Sequence, residues 1–131
     1  MRTVALTMSA FLLVPVGTGP AHADGGRGVR LFVTPAAVPL DSGYQVAVLC
    51  NAEAASDDPT DIATATVVSC SVNGVGDSRG LPGSESYVTV SDPVPSSPYT
   101  VCISGQVAFV NAVTNDLEIV SDGPYCEPVT V

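Results

Sequence analysis

Two alternating runs, each with a cysteine on its apolar face, constrain this chain more than anything else in its sequence. In SGYQVAVLCNAE, Tyr44, Val46, Val48, Cys50 and Ala52 fall on one side, and Gln45, Asn51 and Glu53 fall on the other. In IATATVVSCSVNG, Val68, Cys70 and Val72 oppose Ser69, Ser71 and Asn73. A period of two belongs to a half-buried strand, because successive side chains on a pleated backbone point to opposite faces. VRLFVT, ESYVTVSD, YTVCISGQVAFVN, DLEIVSD and YCEPVTV continue the series, divided by clusters of Gly, Pro, Asn and Asp. The pattern predicts an all-β fold, an immunoglobulin-like β-sandwich of about seven short strands. Around Cys102 the phase is awkward: Val101, Ile103, Val107 and Phe109 share one side and the cysteine takes the other. Two explanations stay open, a bulge at Gly105 or a strand covered on both faces.

The N-terminus reads as a secretory signal over residues 1–23. MRTVALTMSAFLLVPVGTGPAHA has a basic start at Arg2, an apolar stretch from Ala10 to Val14, and Ala21-His22-Ala23 at its end. That is an export signal with an Ala-x-Ala cleavage site, so the mature chain is expected to begin at Asp24 and to form one domain over residues 24–131. Pro15, Gly17, Gly19 and Pro20 interrupt the apolar stretch, which is too short for a hydrocarbon layer of ~30 Å. The expected location is therefore extracellular, with no membrane insertion once the signal is removed.

In an exported chain, an even number of cysteines reads as disulfides. Cys50, Cys70, Cys102 and Cys126 lack the close spacing of a metal site, and the mature chain has no histidine, so neither a metal nor another cofactor is expected. Three pairings are possible. Residues that face each other across a hairpin lie symmetrically about its turn. Thr60, midway between Cys50 and Cys70, sits in SDDPTDI, and Thr114, midway between Cys102 and Cys126, sits in AVTND. Both are turn signals, which favours Cys50–Cys70 with Cys102–Cys126 over a sandwich-spanning Cys50–Cys102 with Cys70–Cys126. Each closed loop would stabilise the fold by ~3 kcal/mol in the chain-entropy treatment.

The signal, the bias toward Ala, Val, Gly and Asp without lysine, and the segments ATATVVSCSVNG and YTVCISGQVAFVN together resemble small four-cysteine secreted proteins of actinobacteria. The resemblance covers roughly residues 44–126 and implies no activity and no site residues.

Charge and composition restrict function further. The full chain carries a formal net charge of −9, and the mature segment keeps Arg27, Arg30 and Arg79 against 13 acidic residues. Such a surface repels phosphate backbones and anionic lipid, which argues against nucleic acid as a partner. A serine nucleophile needs a histidine or lysine to take its proton, and the mature chain has neither. Paired carboxylates could act on a glycoside, but no tryptophan is present to stack on sugar rings. A non-catalytic protein is the expectation.

Three segments between strands invite a functional reading. SDDPTD offers Asp57, Asp58 and Asp61, but Pro59 and the spacing suit a polar turn better than a calcium loop. SDPVPSSP is a stiff connector suited to a crossing between sheets. NGVGDSRGLPGS, Asn73 to Ser84, is expected to be the longest loop, and Asp77, Ser78, Arg79, Gly80 and Leu81 are its candidate partner-contact residues. An arginine displayed there could enter the pocket of a trypsin-like protease. The expectation is thus a secreted binding module, or a passive extracellular or cell-surface component. Its partner would be an extracellular protein or a small ligand. The alternatives are a protease inhibitor acting through the Arg79 loop and a carrier of a small apolar ligand between the sheets.

Overall fold

The computed structural model describes residues 26–95 and 98–130. The export signal and the expected start at Asp24 lie outside the described residues. Seven strands follow in order: β1 (Gly28–Leu40), β2 (Gly43–Ala55), β3 (Asp61–Val72), β4 (Val75–Pro82), β5 (Glu85–Val94), β6 (Tyr99–Asn111) and β7 (Leu117–Val129). They form two antiparallel sheets, one of three strands in the order β1-β2-β5 and one of four in the order β4-β3-β6-β7. The fold is therefore the all-β sandwich that the alternation predicts. In antibody constant domains the fourth strand belongs to the sheet of the first, second and fifth; here β4 pairs with β3 instead.

Between the sheets the alternating residues meet. Val29, Leu31 and Val33 from β1, Val46, Val48 and Cys50 from β2, Val68 and Cys70 from β3, and Val107 and Phe109 from β6 are all buried. Valine dominates this layer because a β-branched side chain packs well on a pleated surface. Pro35 and Pro39 are tolerated in β1, which pairs only with β2 and so needs hydrogen bonds along one edge.

The crowding is tightest at Gly105, which faces inward on β6. A Cβ there would lie 2.7 Å from Leu31 Cδ2, 2.9 Å from Val29 Cγ1 and 3.2 Å from Ala52 Cβ. Gly105 is therefore neither a bulge nor a break in phase. Tyr99, Val101, Ile103, Gly105, Val107 and Phe109 all point into the core, and Cys102 points out. The irregularity lies across the ladder in β7, where Gly123 and Pro124 fill the gap between the Ile103–Tyr125 and Gly105–Asp122 pairs.

Both disulfides follow the hairpin-favoured scheme, Cys50–Cys70 and Cys102–Cys126, but only one of them spans a hairpin. Cys102 and Cys126 are direct partners in the β6–β7 register, on the outer side of the sheet. Cys50 and Cys70 belong to different sheets, so their bond crosses the core, with Cα atoms 6.2 Å apart. The turn at Thr60 carries the chain from one sheet to the other. A sheet-changing connection of this length satisfies the same midpoint symmetry as a hairpin.

Candidate contact surface

The segment expected to be a loop is a strand. Asn73 and Gly74 take φ values of 49° and 86°, two successive left-handed residues that form the tight turn a right-twisted hairpin needs. From Val75 the chain then pairs with β3 all the way to Pro82. Asp77, Ser78, Arg79, Gly80 and Leu81 therefore lie in an edge strand held to β3 along one side. Ser78 and Gly80 share the outer face with Ser69 and Val67, while Asp77, Arg79 and Leu81 take the opposite side, across from Cys70, Val68 and Thr66. The Arg79 guanidinium lies over the Tyr87 ring, 5.0 Å from its centroid, and its carbonyl accepts a hydrogen bond of 2.8 Å from Ser86 Oγ. Arg79 ties the edge of one sheet to the edge of the other.

The acidic turn is also a structural knot. Arg27 Nε and Nη2 donate to the two oxygens of Asp61 at 2.9 and 2.8 Å, and Arg27 Nη1 donates to Glu118. Ser56 Oγ and Asn111 Nδ2 add bonds of 2.6 and 2.9 Å to Asp61. Arg27 first, then Ser56 and Asn111, hold the Asp61 carboxyl well below the usual carboxylate range. Asp58 is lowered as well, chiefly by the side-chain and backbone hydrogen bonds it accepts from Thr60. At the β7 irregularity, the hydrogen bond from Tyr125 to Asp122, aided by burial, pushes the tyrosine up to about 12. Among the described residues, no group of three or more His, Cys, Asp or Glu could hold a metal ion.

A different surface stands out once the register is known. The outer face of the β4-β3-β6-β7 sheet is built in cross-strand rows. At one end Ile62, Val110 and Leu117 form a row, and Ala65, Ala108 and Ile119 form the next. Val67, Gln106 and Ser121 make the middle row, with Gly80 beside Val67. Beyond them come Ser78, Ser69 and Ser104, then Gly76, Ser71, Cys102 and Cys126. Ile62 is 51 % exposed, Val67 36 %, Leu117 66 % and Ile119 58 %. The serine end holds a depression of about 530 Å³ bordered by Ser69, Ser71, Ser78 and Ser104, with Asp77 at its β4 rim.

No charged side chain lies on this face. Asp61, Asp77, Arg79, Glu118, Asp122 and Glu127 are the charged residues of these strands, and their ladder partners Asn111, Cys70, Val68, Phe109, Gly105 and Val101 place all of them on the inward side. The outer face of the three-stranded sheet follows the ordinary rule and carries Arg30, Glu53 and Glu85. The four-stranded sheet departs from that rule: Asp77, Arg79 and Glu127 reach solvent from its inward side and edges, Asp61 and Asp122 are drawn in, and isoleucine and leucine face water on the broad outer face. The signal was present in the sequence, since residues 62–76 and 93–115 contain no charged residue. It becomes a surface only when pairing brings those runs side by side.

Fold and face together define a disulfide-stapled β-sandwich with one uncharged sheet surface. No protein-family model matches the chain, and no curated protein matches it. Among solved structures, it is similar to the crystal structure of a Bordetella pertussis protein given the name ApaA, with 15 % identity and a TM-score of 0.39 over 77 % of this chain and 93 % of that one.

Proposed function

We propose that this chain is an exported, non-catalytic contact module that acts through the outer face of its four-stranded sheet. The observation that carries this reading is the absence of charged side chains from that face on a chain of net charge −9. An acidic protein gains solubility from surface carboxylates, so keeping them off one whole sheet face makes sense where that face meets another surface. Disulfides persist in oxidising compartments, which fits an extracellular setting.

Two other readings have less support. An inhibitor needs a convex, presented loop, whereas Arg79 sits in a paired strand with its side chain laid on Tyr87. A carrier needs room between the sheets, whereas a single added methyl at Gly105 already collides with Leu31 and Val29.

Sedimentation with washed envelopes of the producing cells tests the contact reading. Val67→Asp combined with Ile119→Asp is expected to abolish co-sedimentation, and Leu49→Asp on the opposite sheet is expected to preserve it. Equal retention of all three proteins would refute the proposal.

A further inference from the structure

We infer that the occupant of the uncharged face is a second copy of this chain, bound about a two-fold axis that runs along the strands between β3 and β6. The inference rests on the contact reading above and names its partner. Charge comes first. Two copies with net charge −9 repel each other over most of their surfaces, and the face without charged side chains is where they can approach without bringing carboxylates together.

Area comes second. Four strands at ~4.8 Å spacing and some ten residues of length give a face about 19 Å by about 34 Å, on the order of 700 Å² with side-chain relief. Standard stable interfaces bury roughly 800 Å² per partner. One full face therefore supplies an area of the size a stable dimer needs.

The rows fix the axis. A two-fold across the strands would lay the apolar end of one copy on the serine end of the other. An axis along the strands keeps each row at its own height, so the apolar rows of the two copies stack: Ile62 of one lies over Val110 of the other, and Ile119 over Pro82 at the end of the other copy's β4. That arrangement sets β3 over the other copy's β6 and β4 over its β7. It covers the exposed Ile62 and Ile119 with Val110 and Pro82 of the other copy, while the two serine depressions meet as a hydrated pocket. Pairing is driven by apolar contact and opposed by the surrounding acids, so it should tighten as salt screens them.

Sedimentation equilibrium of the purified, oxidised protein tests this. The expected result is a concentration-dependent dimer whose dissociation constant falls several-fold between ~20 and ~300 mM salt. Ile119→Asp is expected to weaken it by at least about tenfold and Leu49→Asp by less than about twofold. Leu117→Ser with Ile119→Ser, neutral changes at exposed sites, is expected to weaken it as well, and circular dichroism confirms that each variant is folded. A wild-type protein that stays monomeric, or a dimer indifferent to the Ile119 variants, overturns the inference. A monomer whose envelope retention still falls with Val67→Asp and Ile119→Asp would overturn self-pairing alone; a monomer whose retention is indifferent to those changes overturns the contact reading itself.

Discussion

Asp61 is charged although its side chain is buried, because every bond around it favours the ionised form. Arg27 grips both oxygens, and Ser56 and Asn111 donate to the same carboxylate. Through these bonds one residue joins the segment before β1, the turn before β3 and the end of β6. Its folded pKa lies below the unfolded value of ~3.9, so the folded state binds fewer protons in acid than the unfolded state does. Stability from this site is therefore complete above about pH 4 and declines as pH falls toward the depressed folded pKa. Thermal melts from neutral pH down to about pH 2 are expected to show that decline. Asp61→Asn should lower the melting temperature at neutral pH, where Arg27 loses its bidentate partner, and should flatten the acid limb. A variant with the same acid slope as wild type would show that other carboxylates govern it.

At the scale of the strand, Gly105 decides how closely the sheets approach. Gly105→Ala is expected to destabilise the fold by ~1–3 kcal/mol in denaturant titrations, since the added methyl enters a space already filled by Leu31 and Val29. Unchanged stability would mean that the sheets separate at little cost. The strands with a buried side were legible from alternation, because burial of every second residue leaves a period-two trace. β4 left no such trace: Gly76, Gly80 and the polar residues around them form an edge strand with little burial, so only pairing with β3 reveals it. The cysteine pairing was legible from midpoints, yet the route between sheets was not, because a crossover and a hairpin of equal length share the same symmetry. Cys102 looked out of phase because its disulfide lies on the outer face while the core residues keep their own register. The uncharged face was half legible, as two runs without charge whose adjacency no local pattern announces.

At the scale of the molecule, the two disulfides divide the chain into regions of different mechanical character. Their loops, closed over separations of 20 and 24 residues, do not overlap in sequence, and β4 and β5 lie between them with no covalent tie of their own. If the chain is pulled from its ends, tension passes through each disulfide and bypasses the loop it closes. Residues 51–69 and 103–125 bear no load while the bonds are intact, even after every strand has come apart. The whole of β3 up to Cys70 and most of the β6–β7 hairpin are hidden from force in this way. Single-molecule stretching of the oxidised protein is expected to reach a contour shorter by about 140 Å than that of the reduced protein, given ~3.4 Å for each extended residue. Equal contours would mean that the bonds do not bear the load. With the bonds intact, the chain has a built-in limit to its extension, so a domain torn open at a surface still keeps its ends within a fixed reach.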